Sequence, residues 1–172
     1  MQIKTAQDLF VHLLSDTYSA EKQLTRALPK LARAASDEKL AAAFRAHLEE
    51  TRGQIERIDQ VVESVQVVES VPELKLRRIK CVAMEGLIEE GQEVIDEIEQ
   101  GPVRDAGLIA AAQKVEHYEI AAYGTLCTLA EQLGYKDAKK LLAATLEEEK
   151  STDGKLTTIA ETAINAKASK AA

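Results

Sequence analysis

The chain has 172 residues, a formal charge of −7, 30% charged residues, 3% aromatic residues and no Trp, enough length for one real core but too few aromatics for a β-sandwich. Ala, Leu, Glu and Lys dominate, and three prolines and eight glycines leave long stretches without a breaker, which predicts an all-α protein of packed helices. The acidic surface disfavours nucleic acid and anionic membranes, no segment approaches the ~18 apolar residues of a span, and no basic-then-apolar leader opens the chain. The expectation is therefore a cytoplasmic protein that binds neither membrane nor nucleic acid. Cys81 and Cys127 form no CxxC and read as reduced, buried structural thiols.

The first helix is expected over about 5–35. Thr5 caps it, with Asp8 at the positive end of the dipole. Phe10, Leu14, Leu24, Leu28 and Leu31 form its buried stripe, Glu21 falls on the same face, and Pro29 should kink the helix without ending it. Ser36-Asp37 gives a short turn and a new cap. A second helix runs to about residue 68, with Leu40, Phe44, Leu48, Ile55, Ile58 and Val62 inside, Glu50 at the stripe edge and Gln54 one turn later.

A break at Pro72 leads to a third helix over 73–100, highly charged (ELKLRRIK, then EGLIEEGQEVIDEIEQ) and stopped by Gly101-Pro102. The fourth helix, about 104–133, ends on a left-handed Gly134 cap. The fifth, about 137–165, buries Leu142, Leu146, Leu156 and Ala160, with Glu149 and Asp153 on the same stripe. Residues 1–165 form a single domain, and the small-residue tail 166–172 should fray.

Very short turns join helices one and two and helices four and five, so each pair is an antiparallel hairpin. A long connection carrying the third helix lies between them. Two hairpins with one long crossover is the topology of a ferritin-like four-helix bundle with an extra helix in the crossover. A faint repeat at an offset of 98 aligns Glu21 with Glu119 and Glu49-Glu50 with Glu147-Glu148.

The centre of the fourth helix poses the chemical question. In AAQKVEHYEIAAYGTL (residues 111–126), Ile109, Ala112, Tyr123, Leu126 and Ala130 make an apolar stripe, yet Glu116 and Glu119 occupy its middle. Buried carboxylates need a compensating charge. The other long helices supply inward Glu21, Glu50, Gln54, Glu149 and Asp153 at similar depth. Two divalent cations bridged by carboxylates would satisfy this set. The alternative for each glutamate is a hairpin-edge position reaching water.

Glu148 competes with Glu149. The repeat favours the former and the apolar stripe the latter, which is preferred because one inserted residue shifts a repeat but not local phase. His47 and His117 read as surface or supporting groups, and His12 lies too near the first helix's start. The donor set is then almost all oxygen and suits Fe, Mn or Mg, with Zn less natural. Tyr18 and Tyr123 read as packing residues with hydrogen-bonded hydroxyls, or as donors and redox relays near the site.

LLSDTYSAEKQL (13–24), HLEETRGQIERI (47–58), AAQKVEHYEIAAYGTL (111–126) and TLEEEKSTDGKLT (145–157) resemble the YciE/YciF family of ferritin-like proteins over nearly the whole chain. The resemblance implies a dimeric, cytoplasmic, stress-associated protein with a di-metal centre akin to that of rubrerythrin. Glu116 and Glu119 reproduce that centre's pair of glutamates three apart, and Glu21 and Glu50 match those of the first and second helices. Gln54 and Asp153 stand where rubrerythrin-like sites use histidine. There is no rubredoxin-type Cys₄ module, so the chain carries no electron donor of its own. The function expected is a di-iron carboxylate protein that binds metal and reacts with O₂ or peroxide. The competing expectation is a structural or interaction protein of the stress response with a non-redox metal.

Overall fold

The computed structural model describes residues 3–69 and 74–171. Its helices are α1 (Ala6–Ala34), α2 (Glu38–Glu69), α3 (Val82–Glu97), α4 (Pro102–Gln132), α5 (Lys136–Ile159) and α6 (Asn165–Ala168), with a π-helical turn at Ala160–Ile164 joining α5 to α6. No strand forms among the described residues. No helix among them is long and apolar enough to cross a membrane.

Local chemistry sets the helix ends. Thr5 and Asp8 form a reciprocal capping box, each side chain taking the other's backbone N–H. Pro29 lies inside α1, which continues to Ala34. Asp37 Oδ1 accepts from the N–H of Lys39 and Leu40 at the start of α2. Gly134 takes a φ of 77°; its N–H donates to Glu131 and that of Tyr135 to Ala130, the paired bonds of a Schellman C-cap. Lys167 Nζ lies 3.4 Å from Asp37 Oδ2, tying α6 to the α1–α2 turn.

The charged crossover departs from expectation. Helix is predicted from 73, but residues 74–81 run without helix and α3 begins only at Val82; Pro72 and Glu73 lie outside the described residues. The cause is tertiary. Ser15 Oγ accepts from Arg77 N–H, Ser19 Oγ accepts from Cys81 N–H, and Gln23 donates to the Cys81 carbonyl. These three α1 side chains, one turn apart, replace helical partners for the segment's backbone. Cys81 then caps α3 through its sulfur. At the other end of α3, a side chain at Gly107 would bring a Cβ to 2.8 Å from Val94, so glycine permits the close α3–α4 approach.

α1 and α2 pair as one hairpin and α4 and α5 as the other; α2 packs on α5 and α1 on α4. Asp105 on α4, buried, accepts from the N–H of Ser36 and Asp37 at 2.7 and 2.9 Å and fastens one hairpin to the other's turn. The apolar core splits in two. One cluster holds Leu24, Leu28, Phe44, Leu108, Ala112 and Leu156; the other holds Phe10, Leu14, Ile58, Tyr123, Leu126 and Leu142. Between those clusters each of α1, α2, α4 and α5 carries buried polar side chains.

Candidate metal centre

The layer is built by continuing each buried stripe through its middle. α1 runs Leu14, Thr17, Glu21, Leu24; α2 runs Phe44, His47, Thr51, Gln54, Ile58; α4 runs Ala112, Glu116, Glu119, Tyr123; α5 runs Leu142, Thr145, Glu149, Thr152, Leu156, all of them buried. Steps of three or four residues keep these side chains on one helix face. Burial here is close to complete, with Glu21, Gln54, Glu119 and Glu149 at 0% exposure.

His47, Glu116, Glu119 and Glu149 bring one ligand atom each to within 4.8 Å of one another. His47 Nε2 lies 3.3 Å from Glu116 Oε1, and its Nδ1 faces Glu50 Oε2 at 3.7 Å. The expectation of an almost all-oxygen set is thus corrected: one imidazole belongs to the cluster. The α2 stripe runs through 47, 51 and 54 rather than through Leu48 and Ile55, which are only partly buried. A signal for this was present, since 40, 44, 47, 51, 54 and 58 keep helical spacing between apolar ends.

The other candidates surround the cluster. Glu21 accepts a short hydrogen bond from the Tyr123 hydroxyl. Gln54 Nε2 donates to Glu149 Oε1 at 2.5 Å and to Glu148 Oε2 at 3.1 Å. Glu50 is half-buried at the rim, near Lys155 Nζ at 3.6 Å and the Thr152 hydroxyl. Asp153, also half-buried, accepts from Gln113 and faces the exposed His117 at 3.5 Å. Glu148 pairs with Arg57 through two bonds of 2.8 Å, leaving Glu149 as the inward residue. The offset-98 repeat nevertheless has a structural counterpart: Glu50 and Glu148 are both one-third exposed and both face a basic side chain.

Electrostatics divide the carboxylates into two groups. Burial, then the Glu149 charge, push Glu21 up to about 8, against the hydrogen bond from Tyr123. Burial and neighbouring carboxylates likewise raise Glu116 and Glu119 well above the usual range. Glu149 is raised by burial despite the opposing influence of His47. At the rim the direction reverses. The His47 imidazole facing Glu50 at 3.7 Å holds that carboxyl low, and against partial burial the hydrogen bonds from Arg57 and Gln54 do the same for Glu148.

Eight polar atoms of this layer are buried without a hydrogen-bond partner among the described residues: Glu21 Oε2, both His47 nitrogens, Gln54 Oε1, Glu116 Oε2, both Glu119 oxygens and Glu149 Oε2. Each such group costs roughly 1–3 kcal/mol if left unmade. Carboxylates and an imidazole converging with free lone pairs are the donors that borderline and hard divalent cations require. The residues fit a metal centre.

Fold and layer together define a ferritin-like helical bundle whose core carries a carboxylate–histidine cluster able to hold metal. The family described as Domain of unknown function (DUF892) matches residues 5–169, and the chain belongs to it. It is 70% identical over 168 residues to Protein YciF of Escherichia coli (strain K12), covering 98% of each. The crystal structure of the E. coli stress protein YciF superposes with a TM-score of 0.88 at 71% identity, over 94% of this chain and 98% of that one. YcfI of Rhodopseudomonas palustris, described as a candidate structural protein, matches at TM-score 0.84 and 44% identity over 91% and 96%. A Xanthomonas campestris protein at 18% identity and TM-score 0.67, over 96% and 97%, shares the fold.

Proposed function

We propose that the protein holds two divalent metal ions, iron the best match with Mn, Mg or Zn as alternatives, among Glu21, His47, Glu116, Glu119 and Glu149, and that it reacts with O₂ or peroxide under stress. The eight partnerless buried atoms carry this reading. Divalent cations would supply the charge that four buried carboxylates lack and would return those groups to their ionised forms. Bound Fe(II) would supply the electrons for reducing O₂ or peroxide.

The chain's own residues hold and shield the donors. Glu50 faces Nδ1 of His47 and so favours presentation of Nε2 to the cluster, the usual relation of a carboxylate to a ligating histidine. Gln54 and Tyr123 orient Glu149 and Glu21 by hydrogen bonds. A cavity of about 50 Å³, walled by Leu24, Leu28, Phe44 and Leu156, reaches His47 and Glu116 from a rim formed by Glu50 and Lys155. It gives a small, weakly polar molecule an approach that excludes bulk water.

Metal analysis of protein purified without chelator or affinity tag tests the reading. About two ions per chain are expected, with loss in the Glu116→Ala/Glu119→Ala double variant; protein that takes up no divalent ion would sink it. Protein loaded with Fe(II) and mixed anaerobically with peroxide should gain near-ultraviolet absorbance. A metal-loaded but spectroscopically inert protein would favour the second reading, a structural role with a non-redox ion, which the description of YcfI supports.

A further inference from the structure

The crossover segment that fails to become helix creates a second feature, remote in character from the acidic layer. Residues 22–35 and 74–81 contain Lys22, Arg26, Lys30, Arg33, Lys75, Arg77, Arg78 and Lys80 and no acidic residue, in a chain of net charge −7. Five of these cations line one open cleft of about 760 Å³ between α1 and the segment: Lys22, Arg26, Arg77, Arg78 and Lys80. Ser15, Ser19, Gln23 and Tyr18 form its floor and wall.

The cleft's cations are concentrated and largely uncompensated. Lys80 pairs with Glu85, and Arg77 lies within electrostatic reach of Asp8. Lys22, Arg26 and Arg78 make no ion pair among the described residues; Lys22 instead lies 4.2 Å over the Tyr18 ring. The segment is held in place by Ser15, Ser19 and Gln23, so the arginines are presented from a fixed backbone. Like charges lining one cleft repel one another, and an anion bound among them relieves that repulsion. Guanidinium groups favour planar, two-point recognition of phosphate, and the volume falls within the range of small-molecule sites.

We infer that this cleft binds a small organic molecule carrying two phosphoryl groups, with Arg77 and Arg78 on one wall and Lys22 and Arg26 on the other. Its concave shape favours a compact ligand over a polymer, which would track the whole stripe through Lys30 and Arg33. Lys30 and Arg33 lie on α1 beyond the cleft, and Arg33 occupies its last turn.

Calorimetric titration of the full-length, metal-loaded protein with ADP, and separately with inorganic pyrophosphate, tests this. Binding of either should weaken about tenfold or more in Arg77→Ala/Arg78→Ala and in Lys22→Ala/Arg26→Ala, fall with added salt, and survive in Lys30→Ala/Arg33→Ala. Helical circular dichroism checks that each variant is folded. Pyrophosphate binding as tightly as ADP makes the phosphoryl groups the whole determinant; tighter ADP binding adds the nucleoside, and both support the site. The same heat in Glu116→Ala/Glu119→Ala separates binding from chelation of the ions. Its disappearance there, no binding of either probe, or an equal loss in Lys30→Ala/Arg33→Ala would overturn the inference. So would tighter binding of a short DNA duplex that depends on Lys30 and Arg33.

Discussion

His47 Nε2 stands 3.3 Å from Glu116 Oε1, a contact between the second and fourth helices of the bundle with both side chains almost fully buried. Neither imidazole nitrogen has a hydrogen-bond partner among the described residues. On the proposed reading His47 is the nitrogen donor of the layer, while Gln54 and Asp153 lie outside the four-residue cluster. His47→Ala should abolish or greatly weaken metal uptake. Glu50→Gln, which alters the group facing Nδ1 and leaves the four clustered residues in place, should lower affinity roughly 10–100-fold. Competition titration with a chromophoric chelator distinguishes them; equal affinity in wild type and His47→Ala would remove histidine from the site.

The Tyr123 hydroxyl donates a short hydrogen bond to the buried Glu21. Tyr123→Phe keeps the ring, which packs in the second apolar cluster, and deletes the donor. Metal-free protein should lose about 1–3 kcal/mol, read from urea unfolding. The loss should shrink on metal loading, since the ions compensate the same carboxylate. A variant as stable as wild type would show that this hydrogen bond contributes nothing to the fold.

The metal-free protein should have an unusual pH profile. Glu21 ordinarily titrates near 4.5 and is raised to about 8 in the fold. Its stabilising contribution is complete below pH 4.5 and is lost as pH climbs through 8. Glu116, Glu119 and Glu149 shift in the same direction. Glu50 and Glu148 are lowered and act oppositely, their contributions fading only in acid. The urea midpoint without metal should therefore be higher at pH 5.5 than at pH 8. A profile that rises across that interval would contradict buried, crowded carboxylates.

Metal should restore what neutral pH removes. Divalent ions at about 100 times their dissociation constant should add about 2.7 kcal/mol for each site they fill, seen as a higher melting temperature at pH 8. Affinity should itself rise with pH, because protons compete for the raised carboxylates. No shift should occur in Glu116→Ala/Glu119→Ala.

Asp105 offers a control outside the layer. Its carboxylate accepts two backbone N–H groups of the α1–α2 turn. Asp105→Ala should cost about 1–3 kcal/mol or more while leaving metal content unchanged. Loss of metal together with stability would mean that the two hairpins need this clamp to form the layer.

Helical periodicity by itself determined much of this protein. Continuous 3–4 spacing in Leu- and Ala-rich runs, the Thr5 and Gly134 caps and two short turns require paired antiparallel hairpins, whatever their neighbours do. Glu116 and Glu119 stood out because they interrupt a stripe that is apolar at both ends, and the same phase argument chose Glu149 over Glu148. Tertiary structure decided what periodicity leaves degenerate. On α2, Leu48 and His47 are adjacent, and only packing against α4 and α5 selects which one enters the core. Residues 74–81 have the composition of a helix, but Ser15, Ser19 and Gln23 on α1 capture their backbone. Asp105 reads as an ordinary first-turn acid until the fold brings Ser36 and Asp37 to it. In each case the deciding partner lies more than fifty residues away, and local sequence carries no record of its distance.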